Sequence, residues 1–307
     1  MTKITKVLLP TDFSECAQRA LTHAVYAARL LGAELHMLHA IELHANDPYN
    51  PAYHFPESDE LGARLTQIAT REMAGLVAAH VAEPLVVHQV RKRGIAAGPV
   101  ILDYAEAHET DLIVLGTNGR RGLPRWLLGS VTEEVMRSAK CPVLTVRATT
   151  PAPTEVPIRD VLVAIDFARC SEEALSYGKE LAKSFDARLH LLHVVEAQHW
   201  SGYLSPVTDT TPPNAEKLRN LAELKLRRII DEQPASDVEW VAHARFGYTK
   251  SEILSLASEL EAGYVVVGSQ GFNALEDMFF GSTAEAMVRR ASCPVLVVEA
   301  PWLHDSL

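Results

Sequence analysis

Two stretches of the chain share one spacing of glycines and a hydroxyl. "GTNGRRGLPRWLLGS" runs from Gly116 to Ser130, and "GSQGFNALEDMFFGS" runs from Gly268 to Ser282. In each, two residues separate the first two glycines, nine more follow the second, and Gly-Ser closes the run. Glycine lets the backbone take positive φ and lets a ligand approach the main chain closely. Ser130-Val-Thr-Glu133 and Ser282-Thr-Ala-Glu285 have the pattern of a capping box, so each closing serine should open a helix. The amides at a helix N-terminus lack partners within the helix and carry partial positive charge, which suits phosphate. Two amide-rich turns facing one another can grip a di- or triphosphate. The plainer reading gives the glycines to turns and the serines to caps. Recurrence of the whole spacing favours phosphate binding over it.

Other nucleotide signatures are absent. No GxxxxGK[ST] run occurs, and no GxGxxG follows the first strand. This excludes a P-loop and argues against a dinucleotide site.

The repetition extends beyond the loops. "KVLLPTDFSECAQRAL" at 6–21 answers to "DVLVAIDFARCSEEAL" at 160–175, and "ELHMLHAIE" at 34–42 to "RLHLLHVVE" at 188–196. "DLIVLGTNG" answers to "GYVVVGSQG", and "SAKCPVLTVRA" to "ASCPVLVVEA". The offset is 154 residues early and 152 late, too long for a solenoid repeat, so the chain of 307 residues reads as two complete domains. The expected boundaries are 1–147 and 160–307. Between them lies the linker 148–159, within a run that carries three prolines and so disfavours helix.

Each half shows the same order of elements. A short apolar run (Val7–Leu9; Val161–Ile165) is followed by a helix opening near Ser14 or Ser171, then by the strand holding "LHMLHAI" or "LHLLHVV". A loop rich in proline and tyrosine follows (44–58; 198–214), then a long amphipathic helix and a strand at Leu85–Val90 or Val238–Ala242. A helix near 99–109 or 249–260 leads to "LIVLG" or "YVVVG", the glycine loop, a helix, and a last strand "PVLTV" or "PVLVV". Strands alternating with helices imply an open parallel sheet covered on both faces. Ligands bind such sheets beyond the carboxyl ends of the strands, where both "LPTD" and "LGTNG" fall.

With these motifs in place, the chain resembles a tandem universal stress protein. The resemblance covers nearly all of both halves. It rests on G-x2-G-x9-G-[ST], on "PTDFS" after the first strand and on "CPVL" in the last. It implies two Rossmann-like domains of the adenine nucleotide alpha hydrolase type, each with a five-stranded parallel sheet. It also implies an ATP site in each, holding ATP, ADP or AMP with Mg²⁺. In the first, Pro10, Thr11 and Asp12 would lie beside base and ribose, and Ala40 would meet the adenine through its backbone. Leu115, Gly116, Asn118 and Gly119 would hold ribose and phosphate, and Gly129, Ser130 and Val131 the remaining phosphates. The second set would be Ala164, Ile165, Asp166, Val194, Val267, Gly268, Gln270, Gly271, Gly281, Ser282 and Thr283. Ala-Ile stands there in place of Pro-Thr, a departure from the family pattern.

The two loops differ in charge. The first carries Arg120, Arg121 and Arg125; the second carries Glu276 and Asp277 and no basic residue. Arginine pairs with phosphate oxygens and carboxylates repel them, so the first site should bind triphosphate more tightly.

Other residues point away from catalysis and metals. His36 and His39, like His190 and His193, lie three apart on a strand and so face opposite sides. One metal cannot easily take both, and no metal ligand set is expected. Asp12 and Asp166 could each act as a base or bond to ribose. No Ser-His-Asp, paired-carboxylate or HExxH arrangement accompanies them, so no catalytic residue is assigned. The four cysteines form two repeat-matched pairs, Cys16 with Cys170 and Cys141 with Cys293, without CxxC spacing, and read as buried reduced thiols.

A net charge of −10 disfavours nucleic acid. No run approaches the roughly 20 apolar residues of a membrane span, and the N-terminus shows no signal-length apolar region. A cytoplasmic protein is expected. The sequence therefore predicts an ATP-binding stress-response regulator. A weak ATPase or autokinase, and an interaction scaffold with vestigial sites, are the alternatives. The resemblance further implies that the two last strands pair within the chain as a pseudo-dimer, and it leaves further homodimerisation open.

Overall fold

A computed structural model describes residues 4–42, 58–81, 84–119, 128–153, 157–196, 214–233, 238–270 and 281–299. The chain divides into two compact units between Pro153 and Thr154.

The first unit runs β1 (Lys6–Pro10), α1 (Glu15–Leu31), β2 (Glu34–Glu42), α2 (Ser58–His80) and β3 (Val87–Gly94). It continues with α3 (Ala97–Ala107), β4 (Leu112–Gly116), α4 (Ser130–Ser138) and β5 (Val143–Val146). Strand order is β3-β2-β1-β4-β5, with every pair parallel. Helices α1 and α2 touch one another, as do α3 and α4, which places one pair on each face. Because both faces are covered, the interior strands carry apolar side chains toward both. Leu8, Leu9, Leu35, Met37 and Ile113 have at most 1 % of their surface exposed. Each such side chain stabilises the fold by roughly 1.5–3 kcal/mol relative to exposure.

The second unit repeats the plan with β6 (Asp160–Ala164), α5 (Arg169–Phe185), β7 (Arg188–Glu196), α6 (Ala215–Asp231) and β8 (Trp240–Gly247). It ends with α7 (Thr249–Glu259), β9 (Tyr264–Gly268), α8 (Ser282–Arg290) and β10 (Val295–Val298). Its strand order is β10-β9-β6-β7-β8, again parallel. The expected fold class is thus the observed one: two open α/β sheets of five strands.

Several local expectations need correction. The edge strands begin later than the apolar residues suggest, β3 at Val87 and β8 at Trp240. An edge strand is half solvated, and its "VHQVRKRG" gives no apolar run to read. Helix α5 opens at Arg169 behind Ala168, so Ser171 sits inside its first turn. The N-caps of α4 and α8 are Gly129 and Gly281, and Ser130 and Ser282 are the first helical residues, so the capping-box reading fails. Cys16, Cys170 and Cys293 are buried as expected, whereas Cys141 is only partly buried. Burial pushes the Cys293 thiol up to about 12.

Candidate functional site

In an order of 3-2-1-4-5 the crossovers change direction between β1 and β4, leaving a cleft beyond their carboxyl ends. The first unit has a cavity of about 460 Å³ there. Its lining includes Pro10, Thr11, Asp12, Ala40, Leu115, Gly116, Asn118, Gly119, Gly129, Ser130 and Val131. These are all the residues expected of the first site except Arg120, which, like Arg121 and Arg125, lies outside the described residues. Leu65, Ile68 and Ala69 of α2 add an apolar wall.

The turn after β1 is locked by short-range bonds. Thr11 N–H donates to the Leu38 carbonyl at 2.8 Å, Thr11 Oγ1 accepts from Phe13 N–H at 3.1 Å, and Asp12 Oδ1 accepts from Ser14 N–H at 3.0 Å. Ser14 caps α1 by accepting from Ala17 N–H at 3.2 Å. Phe13 takes φ +66°, a conformation that costs a β-carbon-bearing residue energy and is held only where neighbours enforce it. Its ring lies 4.5 Å from that of His39, whose Nδ1 is 2.7 Å from the Thr11 carbonyl. A carbonyl can only accept, so Nδ1 carries the proton. His39 thus fastens the turn to β2. Sequence reading missed this latch. The recurring "DF" and the His on the next strand were its signals.

The glycines answer to space rather than to turn conformation. None of Gly116, Gly119 and Gly129 has positive φ, contrary to the turn argument. A β-carbon on Gly116 would stand 2.9 Å from the backbone carbon of Cys16, and one on Gly119 would stand 2.8 Å from Asp12 Oδ2. The first glycine lets α1 cross β4 closely, and the second leaves room beside the aspartate. Past them, Gly129 N–H donates to the Thr117 carbonyl at 2.9 Å and Thr132 Oγ1 to the Gly116 carbonyl at 2.8 Å. These bonds draw the start of α4 onto the end of β4. The first intrahelical bond is from Glu133 N–H to the Gly129 carbonyl, so the amides of Ser130, Val131 and Thr132 are left to the cavity side. Arranged this way, an apolar chamber ends in a positive helix terminus.

The second unit reproduces the frame. His193 Nδ1 donates to the Ile165 carbonyl at 2.9 Å, and the ring lies 4.3 Å from Phe167, itself at φ +61°. Burial holds the His193 pKa below its ordinary value. Gly281 N–H donates to the Ser269 carbonyl at 2.7 Å. Ala164, Ile165 and Asp166 end β6 and begin its turn, and Val194 lies in β7. Val267 and Gly268 close β9, with Gln270 just beyond, and Gly281, Ser282 and Thr283 open α8. Gly271, Glu276 and Asp277 lie outside the described residues, as do Tyr49, Tyr53, Trp200 and Tyr203 of the two proline-rich loops. The aspartates differ. Asp166 Oδ1 accepts from Ser171 Oγ at 2.6 Å and from Ala168 N–H at 3.0 Å, so the hydroxyl that was expected to open α5 serves the carboxylate instead. Lys225 Nζ stands 5.0 Å over the Phe167 ring, a cation on the side where the first unit has its apolar wall.

The histidines on β2 also divide as expected, with His36 and His39 on opposite faces. His36, however, meets Glu34 and His88, a grouping that spacing along one strand cannot reveal because it depends on the pairing of β2 with β3.

Fold and cleft together define a class: paired open α/β domains with an anion-ready helix terminus at the switch point. Comparison with known proteins narrows it. The universal stress protein family matches the chain twice, over residues 3–147 and 157–299. The chain belongs to that family and carries two of its domains in tandem. A universal stress protein of Methanocaldococcus jannaschii is 33 % identical over 145 residues, covering 46 % of this chain and 81 % of its own. A putative universal stress protein of Staphylococcus aureus is 32 % identical over 149 residues, covering 47 % and 86 %. The crystal structure of a universal stress protein from Archaeoglobus fulgidus superposes with a TM-score of 0.65 at 25 % identity, covering 97 % of this chain and 99 % of that one. No described helix is long and apolar enough to cross a membrane.

Proposed function

We propose that this chain is a cytoplasmic stress-response regulator that binds an adenine nucleotide in each unit, with Mg²⁺ on the phosphates. The supporting observation is that eleven residues expected from the loop and strand-end motifs line one cavity of about 460 Å³. A nucleotide has an apolar end and a multiply charged end, and the cavity is built the same way. The base would lie against Ala40 and the α2 wall, the ribose beside Asp12, and the phosphates over the amides of Ser130 and Val131. Arg120, Arg121 and Arg125 would strengthen the first site for triphosphate. Regulation would follow if occupancy changes which partners the chain meets. The pairing of the two last strands as an internal pseudo-dimer belongs to the same proposal, and cross-linking of the intact chain tests it.

The deciding experiment is the nucleotide content of freshly purified, heat-denatured protein, with calorimetry on adding Mg-ATP. About two ATP or ADP per chain would support two working sites, and about one would support the asymmetry. No nucleotide and no heat would leave the interaction scaffold as the reading. Phosphate release above that of a Gly129→Asp control would point to the weak ATPase.

A further inference from the structure

The cavity occupies the carboxyl ends of the first unit's strands. At the amino ends a different chemistry gathers. Glu34 opens β2, His36 follows on the same strand, and His88 pairs with His36 across the parallel register. Glu34 Oε1 is 3.1 Å from His36 Nε2, and Glu34 Oε2 is 3.2 Å from His88 Nε2. The ligand atoms of all three lie within 4.8 Å of one another. Around a four-coordinate zinc ion with bonds of about 2.0–2.1 Å, neighbouring ligand atoms stand roughly 3.3 Å apart. Each histidine nitrogen is already near that distance from the carboxylate, His36 from Oε1 and His88 from Oε2.

A second observation concerns the far side of the His36 ring. Its Nδ1 lies 2.7 Å from the hydroxyl of Tyr104, a residue 5 % exposed on α3. A metal-ligating histidine characteristically gives its other N–H to a fixed acceptor, which sets the ring orientation and raises ligand basicity. The Tyr104 oxygen can fill that role. Its ring is stacked on His108 with centroids 3.9 Å apart, and His108 Nδ1 is 3.0 Å from the Tyr104 carbonyl. The hydroxyl is therefore braced before any ion arrives.

We propose that Glu34, His36 and His88 form a divalent transition-metal site of the zinc class at the amino-terminal edge of the first unit's sheet. Two imidazoles and one carboxylate suit a borderline ion such as Zn²⁺ better than Mg²⁺ or Ca²⁺, which prefer oxygen alone. His88 is about half exposed, with 47 % of its side chain accessible, so an ion can enter from solvent and a fourth position stays open to water. The second unit shows the same place without the site. Arg188 stands where Glu34 stands, Val241 stands where His88 stands, and the guanidinium pairs with Asp160 at 2.8 Å. A fixed cation there opposes a metal ion.

This inference does not depend on nucleotide binding. It is tested by equilibrium dialysis of the EDTA-treated full chain against Zn²⁺, and by the visible spectrum after Co²⁺ addition. One Zn²⁺ per chain is expected, with an intense Co²⁺ band of low coordination number. H88N and E34Q should each lose at least ~10-fold in affinity, and H243N, in the second unit, should lose none. Y104F should weaken binding by ~10-fold while leaving stoichiometry intact, the range found when a partner of a ligating histidine is removed. Circular dichroism and melting of H88N separate loss of ligation from loss of fold. Absence of stoichiometric binding by the unmodified chain would overturn the proposal. So would Zn²⁺ that binds equally to the unmodified chain, E34Q and H88N, since that ion sits elsewhere.

Discussion

Lys6 and Glu34 begin neighbouring strands in the first unit, and the corresponding positions in the second hold Asp160 and Arg188, with the charges exchanged. At the other end of the strands two bonds recur in both units. Gly129 donates to Thr117 as Gly281 does to Ser269, and His39 holds Thr11 as His193 holds Ile165. The lesson is about which atoms carry the constraint. In these two bonds the acceptors are backbone carbonyls, so Thr117 can become Ser269 and Thr11 can become Ile165 with both bonds kept. At the amino ends Asp160 meets Arg188 and His190, and Glu34 meets His36 and His88, through side chains, and such groups must change together.

Four experiments can break or sharpen this contrast. The largest effect is expected at Asp160, which is 5 % exposed and faces both Arg188 and His190, the latter at 2.7 Å from Nε2. Asp160→Asn should lower stability by about 2–3 kcal/mol, because the buried carboxylate that accepts from His190 and Arg188 is lost and hydrogen bonds to a charged group contribute about 1.5–3 kcal/mol. Lys6→Gln at the matching place should cost less than about 1 kcal/mol. Urea unfolding of both variants checks this, and equal losses would dissolve the distinction.

Next come the cap glycines. A β-carbon on Gly281 would stand 2.8 Å from the Ser269 carbonyl oxygen, while one on Gly129 would stand 3.3 Å from that of Thr117. Gly281→Ala should therefore cost about 2 kcal/mol and Gly129→Ala under about 1 kcal/mol. Thermal melting of the two variants reads the difference, and the reverse order would contradict the geometry.

A smaller effect belongs to pH. Glu299 succeeds β10 at the place Arg147 succeeds β5, and burial pushes its carboxyl up to about 7. Its folded pKa lies above the unfolded value, so its contribution to stability is complete below about 4.5 and is lost as pH rises through about 7. About 1–2 kcal/mol should disappear between pH 4.5 and 8. Glu299→Gln should flatten that slope, as seen in unfolding midpoints across the range. An unaltered slope would assign it to other groups.

The finest test concerns the loop charges. Changing Arg120, Arg121 and Arg125 together to Ala should reduce Mg-ATP affinity of the first site by about 10-fold, or roughly 1.4 kcal/mol. Calorimetry on the triple variant should show the second site unmoved. Unchanged affinity at the first would remove charge as the source of asymmetry.

The sheet was legible because its central strands bury both faces, which leaves runs such as "VLL", "LIVL" and "YVVV" without polar interruption. The edge strands were read short or early because half-solvated residues such as His88, Gln89 and Arg91 carry no such run. The cavity was legible through the glycines, although for a partly mistaken reason. Their spacing marks close approach of α1 and of Asp12, not left-handed turns. Ser130 and Ser282 were misread as caps because capping glycines leave no side-chain signature. The Glu34–His36–His88 group was out of reach from local spacing, since only the register of β2 against β3 brings it together.

The division of one polypeptide at Pro153 and Thr154 has a further consequence, which concerns dosage. Two separately encoded subunits can be produced in unequal amounts and can exchange after one is damaged. Here the two units are translated in a fixed one-to-one ratio, age together and are degraded together. Whatever inequality exists between them is therefore a constant of the molecule, not something the cell can adjust by expression.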